Sequence, residues 1–218
     1  MELNPDDLDV RDRYKLLIGC VVPRPIAFVS TVSPRGITNL APYSFSNAVG
    51  SNPMTLMFCP ANLPDGREKD SLRNARPATE GGTGVFVVNL AADAYARQVA
   101  AAAEPLPPDA SEFELAGLTP APSTRIAAPR VAESPVAFEC ETLQVIALAP
   151  GEPAGASLVL GRVVHLHVRD DLLNERFHVD PDTLGAIGRM GGRTYCRTTD
   201  RFDMPIGRAA LDDATDHD

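Results

Sequence analysis

Residues 23–45 read Pro-Arg-Pro-Ile-Ala-Phe-Val-Ser-Thr-Val (23–32), Ser-Pro-Arg-Gly (33–36) and Ile-Thr-Asn-Leu-Ala-Pro-Tyr-Ser-Phe (37–45). Two β-rich runs flank a turn-forming Ser33, Pro34, Arg35 and Gly36, which predicts a hairpin. In the first run Ile26, Phe28, Ser30 and Val32 alternate with Ala27, Val29 and Thr31, so neither face is polar. That pattern belongs to a strand of a closed or doubly covered sheet. The second run carries Pro42. Proline cannot donate to a ladder, so this strand must end, bulge or lie at an edge. A bulge would leave backbone groups in need of partners, and something planar with hydrogen-bonding edges could supply them.

Composition narrows the function classes. A chain of 218 residues is long enough for a sizeable core. Twenty Pro and 16 Gly imply many turns and short strands, which favours a β-rich architecture. The net charge of −9 and the absence of a Lys/Arg run argue against nucleic acid and anionic membrane surfaces as partners. An anionic ligand would therefore need a local nest of cations, hydroxyls and amides. Cys20, Cys59, Cys140 and Cys196 form no Cys-x-x-Cys pair, which argues against a zinc or dithiol site. The first three sit among apolar residues and read as core. The acidic N-terminus lacks the apolar stretch of a signal peptide, and no apolar run approaches the ~20 residues that cross a membrane, so a cytoplasmic location is expected.

Along the chain, Asn4-Pro5-Asp6-Asp7 predicts a helix start, with the helix or turn running to Leu17. Asn47 to Pro53 reads as a loop and 54–59 as a buried strand. Residues 70–75 read as a short helix capped at Asp70, 85–90 as a strand and 91–102 as a helix on propensity. The Pro/Ala-rich segment 104–135 is either a surface loop or an excursion that wraps the barrel or a dimer partner. Its apolar Phe113, Leu115, Leu118 and Ile126 favour the excursion. Strands at 136–148 and 158–168 flank a turn, and Asp180-Pro181 opens a short helix. One domain is expected over 1–206, with 207–218 an acidic, mobile tail.

The stretch Arg24 to Val32, with Gly36, Asn39 to Phe45 and Asn47, resembles the flavin reductase-like proteins of the flavoredoxin-type branch. The likeness continues through Lys69-Asp70-Ser71, Val87-Val88-Asn89, Gly161 to Val164, His167-Val168, Gly188-Arg189 and Tyr195. It spans about Tyr14 to about Met204. The resemblance implies a mainly β fold, an FMN-binding split β-barrel with a few short peripheral helices, working as a homodimer. It implies FMN as cofactor ahead of FAD, and NAD(P)H as a transient co-substrate. No Gly-x-Gly-x-x-Gly follows a strand, so a nicotinamide nucleotide would visit the flavin rather than occupy its own Rossmann fold.

By the same resemblance, Asn39, Ala41, Pro42, Tyr43 and Ser44 line the flavin, with Ser30, Thr31 and Asn47 next to them. Lys69, Asp70 and Ser71 form a second contact segment, where Lys beside a helix start and Ser in its first turn suit a phosphate. Arg24, held between two prolines, is a candidate for the phosphate or for an acid at a dimer interface. Arg189, Arg193 and Tyr195 would cover the cofactor or contact the nicotinamide nucleotide; a surface salt bridge is the alternative for these and for Arg24. His165 and His167 point to one face of a strand, but no third ligand stands nearby in sequence, so no metal is expected. Hydride transfer needs no acid–base dyad, and none is expected among these residues.

The activity implied is NAD(P)H-dependent flavin reduction, with electrons passed to free flavin, ferric complexes, a monooxygenase or another redox protein. The alternatives are an electron carrier with tightly bound FMN, and a barrel that has lost flavin. Retention of the 39–44 and 69–71 segments argues against the last.

Overall fold

The computed structural model describes residues 1–107 and 109–212. In chain order the strands are β1 Arg24–Pro25, β2 Ala27–Val32, β3 Thr38–Tyr43, β4 Ser46–Ser51, β5 Met54–Phe58, β6 Val85–Leu90, β7 Pro120–Ala121, β8 Arg130–Val131, β9 Val136–Ala147, β10 Ser157–Val168, β11 Ile187–Arg189 and β12 Tyr195–Arg197. The helices are α1 Val10–Cys20, α2 Asp70–Ala75, α3 Ala96–Ala101, α4 Glu112–Ala116, α5 Pro181–Leu184 and α6 Ala209–Asp212. Seven strands form one antiparallel sheet in the order β3-β2-β6-β9-β10-β5-β4. Its two edges, β3 and β4, are consecutive in the chain, so the sheet must curl to bring them together. Ser46 Oγ marks the meeting point, accepting from Ala27 N at 3.2 Å and donating to Pro25 O at 3.1 Å. The result is the mainly β split barrel that the resemblance implies. Among the described residues no helix is long and apolar enough to cross a membrane.

All six β2 residues are buried, because the strand has neighbours on both edges and cover on both faces. On one face Phe28 and Leu40 pack with Tyr95, Val99, Phe113, Leu118 and Val131. On the other, Val29 and Tyr43 pack with Phe58, Leu72, Phe86, Cys140 and Val159. Pro42 resolves as an edge-strand residue. Leu40 N points outward, to Glu112 Oε2, and the alternation of an antiparallel ladder gives Pro42 the same outward direction, so its missing N–H costs no ladder bond.

Several local expectations are corrected. Asn47–Pro53 is largely strand: β4 pairs with β5 through a register shift between Ala48 and Gly50. Its side chains from Asn47 to Ser51 are exposed, so no apolar alternation betrayed it. The N-terminal helix is two elements, a 3-10 turn Pro5–Asp7 capped by Asn4 and α1 capped by Asp9, and α1 runs on through Gly19. Cys20 is exposed rather than core. The 91–102 helix shrinks to a 3-10 turn Asp93–Tyr95 and α3. Its first residues are drawn into pairing instead, with Ile187 N bonded to Ala91 O at 3.1 Å and Asp93 N to Gly185 O at 2.9 Å. Tertiary pairing there outweighs alanine propensity.

The 104–135 segment wraps the barrel. Phe113 and Leu118 enter the first core, Ile126 packs against a smaller cluster of Val32, Val87, Ala128 and Ala137, and Leu115 stays half exposed. In the tail, 209–212 is the short helix α6, and 213–218 lie outside the described residues.

Candidate functional site

The curl of the sheet leaves a cleft of about 700 Å³ where the end of β3 meets α2 and the start of the wrapping segment. Asn39, Ala41, Pro42 and Tyr43 form one wall, Lys69, Asp70 and Ser71 a second, and Ala102 to Leu106 with Glu112 a third. Seven of the twelve residues singled out in the sequence line it. Arg24, Ser44 and Asn47 instead line a shallower hollow of about 340 Å³ beside α1, and Ser30 and Thr31 are fully buried.

Beneath β3 lies a buried polar network. Asn39 Oδ1 accepts from Ser71 Oγ at 2.7 Å and from Thr31 Oγ1 at 3.3 Å, while Asn74 Nδ2 donates to Thr31 Oγ1 at 3.0 Å. Asn39 Nδ2 and Leu40 N both donate to Glu112 Oε2, each at 2.8 Å. The side chains of Asn39, Ser71 and Thr31 are thus committed to holding the strand and α2 in register. Ser30 has a similar internal duty, donating to Pro129 O at 2.5 Å and accepting from Asn89 Nδ2 at 3.0 Å.

Tyr43 and Lys69 are different. The Tyr43 hydroxyl is buried with no hydrogen-bond partner among the described residues. Burial pushes its phenol up to about 12; the Ser71 hydroxyl approaches it and opposes the rise but falls outside hydrogen-bond geometry and donates to Asn39 Oδ1 instead, and Glu112's charge adds to the rise. The Lys69 ammonium lies 5.9 Å over the Tyr43 ring, and the surrounding protein lowers its pKa. No carboxylate is paired with it among the described residues. Asp70 is not the helix cap: it occupies the first turn of α2, after Lys69, and pairs with Arg73.

A buried hydroxyl without a partner is costly in an otherwise closed protein. Tyr43→Phe is therefore expected to raise the stability of the ligand-free chain by about 1 kcal/mol, read by urea unfolding. A loss of that size would mean that the hydroxyl is already satisfied.

Arg24 is a structural clamp. It is 4% exposed and donates to Ile18 O and Val21 O at 2.7 Å each, to Met190 O at 2.9 Å and to Ser44 Oγ at 3.3 Å. It ties the end of α1 to β1 and to the turn after β11. Arg189 lies on the Tyr195 ring, bonding its hydroxyl and Gly192 O at 2.6 Å each; Arg193, in the same turn, is exposed. Asn47 is exposed, and among the described residues its side chain accepts only from its neighbour Ala48 N. Sequence reading missed Glu112. A Ser-Glu helix start reads as a solvated first-turn acid, and only the packing of Phe113 and Leu118 turns it onto β3.

The Flavin reductase like domain model matches residues 18–186. An uncharacterised protein of Halalkalibacterium halodurans, BH2278, is 40% identical over 206 residues, 94% of this chain and 95% of that protein. Nitrilotriacetate monooxygenase component B from Bacillus cereus superposes with a TM-score of 0.86 at 36% identity, over 94% of this chain and 98% of that one. The 2-nitrobenzoate 2-nitroreductase NbaA of Pseudomonas fluorescens gives 0.83 at 31% identity, over 95% and 97%. With the curled sheet and the cleft at its edge strand, these matches make the chain a member of the flavin reductase-like family.

Proposed function

We propose that the chain is an NAD(P)H-dependent FMN reductase that binds FMN in the β3–α2 cleft and hands its electrons to a separate acceptor. The observation that carries this reading is the pairing, in one cleft of a flavin reductase-like chain, of a buried hydroxyl, Tyr43, and an ammonium, Lys69, neither of which has a hydrogen-bond or ion-pair partner among the described residues. The cleft volume suits a mononucleotide. In a chain of net charge −9, Lys69 is the cation that would hold a phosphate there, with Arg67, already bonded to Asp65, at the rim. Because burial pushes its phenol up to about 12, Tyr43 stays protonated at neutral pH and can donate a hydrogen bond. Ala41 and Pro42 supply apolar wall. The Asn39–Glu112–Ser71 network keeps that wall rigid, which is the protein's contribution to positioning. A bound flavin supplies hydride acceptance and onward electron transfer.

The same reading takes the working form as a cytoplasmic homodimer. Val10, Tyr14 and Leu17 line one exposed side of α1, followed by Val21, each at least half exposed. That stripe suits cover by a second copy. The acceptor follows the kinship: a monooxygenase partner by analogy with the B. cereus component, free flavin, a ferric complex or another redox protein.

Anaerobic mixing of FMN-loaded protein with NADH and then NADPH tests the activity. Loss of the flavin's visible absorbance is expected with at least one of them. Retained flavin that neither bleaches would reassign the chain to electron carriage, and no turnover of free FMN either would overturn the proposal. Lys69→Ala is expected to weaken FMN binding about 10- to 100-fold, the worth of a charge-assisted contact. Riboflavin, which lacks the phosphate, should bind both forms equally; equal loss for both ligands would remove Lys69 from the phosphate site.

A further inference from the structure

Away from the cleft, two imidazoles and a carboxylate converge on one face of the β9–β10 pair. His165 and His167 stand two apart on β10, and strand alternation puts both on the same face. Their ring centroids are 5.3 Å apart. Glu139 on β9 is the direct cross-strand partner of His165, a neighbour that only the strand register supplies. One ligand atom from each of the three lies within 4.8 Å of the other two, and Glu139 Oε1 is 3.8 Å from His167 Nε2. Tetrahedral zinc, with bonds of about 2.0–2.2 Å, spaces its donors roughly 3.4 Å apart. Small side-chain rotations close that difference without changing the register.

The carboxylate is already oriented. Thr124 N donates to Glu139 Oε1 and Arg125 N to Oε2, each at 2.7 Å, leaving a further lone pair on each oxygen. Hydrogen bonds of this kind fix the direction of a ligating carboxylate. Glu139 is fully buried while the His167 side chain is 36% exposed, so an ion can reach the set from solvent. The mixed nitrogen and oxygen donors suit zinc and its late first-row neighbours better than calcium or magnesium.

We propose that Glu139, His165 and His167 form a binding site for a divalent transition-metal ion of the zinc class. The ion would clasp β9, β10 and the 124–125 turn of the wrapping segment together.

The test is calorimetric titration of tag-free, EDTA-treated protein with zinc chloride. One ion per chain is expected, with a rise in melting temperature on saturation. His165→Ala and His167→Ala should each weaken binding about tenfold or more, and the double variant should lose the zinc-dependent rise. Both histidines are partly exposed, so these variants should melt like the parent chain without zinc. Absence of saturable binding, or binding unchanged in the double variant, would overturn the proposal.

Discussion

Glu112→Ala is expected to remove about 2–4 kcal/mol of stability and to loosen the edge strand that walls the cleft. Glu112 is 7% exposed, and its carboxylate accepts from two buried donors, Leu40 N and Asn39 Nδ2, at 2.8 Å each. Alanine would leave both without a partner, at roughly 1–3 kcal/mol per group. Asn39 would also lose the contact that holds its amide against Ser71 and Thr31, so α2 and β3 would loosen together. For a chain of this size the melting temperature should fall by roughly 5–15 °C. Glu112→Gln keeps one carbonyl acceptor and should cost about half as much. On the proposed function, FMN affinity falls along with stability in the alanine variant. A Glu112→Ala chain that melts within a degree or two of the parent would show that the network does not hold the strand.

The second large effect is in the core behind that strand. A Cβ at Gly161 would fall 2.3 Å from Phe86 Cζ, 2.7 Å from Cε1 and 3.1 Å from the Cys140 Cβ. The Phe86 ring is fully buried and packs edge-on to Phe58 at 5.0 Å, and Phe58 packs on Tyr43 at 5.1 Å. The ring has no space to yield without pushing its neighbours toward the cleft. Gly161→Val should therefore cost about 3 kcal/mol or more, the upper range for overpacking, and lower the melting temperature by roughly 6–12 °C. Gly19, inside α1 with nothing within 4 Å of a built Cβ, is the control. Gly19→Ala should stabilise by roughly 0.5–1 kcal/mol. If Gly161→Val behaved like Gly19→Ala, the packing around Phe86 would have to be looser than these distances allow.

Much of this architecture is written locally. The two-faced apolar pattern of 26–32 demanded a strand covered on both sides, and β2 is buried at every position. Pro42 demanded an edge, a bulge or an end, and β3 is an edge. The turn between the long strands and the Asp180-capped start of α5 also follow from residues adjacent in sequence. Such features depend on φ, ψ and side-chain alternation, which neighbouring residues control. The family resemblance, carried by the motif segments, extended this reading to the split barrel and pointed to the 39–44 and 69–71 segments, of which Asn39, Ala41, Pro42, Tyr43, Lys69, Asp70 and Ser71 line the cleft while Ser44 lines the hollow beside α1.

Only the tertiary structure decided how those segments are used. Asn39, Thr31 and Ser71 turn inward because a buried carboxylate from the distant α4 meets β3 from outside the ladder. Arg24 is consumed by three carbonyls and one hydroxyl contributed from both ends of the chain. β4 is a strand because β5 pairs with it, although its exposed side chains read as a loop. Glu139 meets His165 through strand register alone. In each case the deciding partner is far away in sequence, and hydrogen-bond satisfaction in a buried environment is a property of the assembled fold. Local residues determined which elements form; the closing of the sheet determined which polar groups were left facing the cleft.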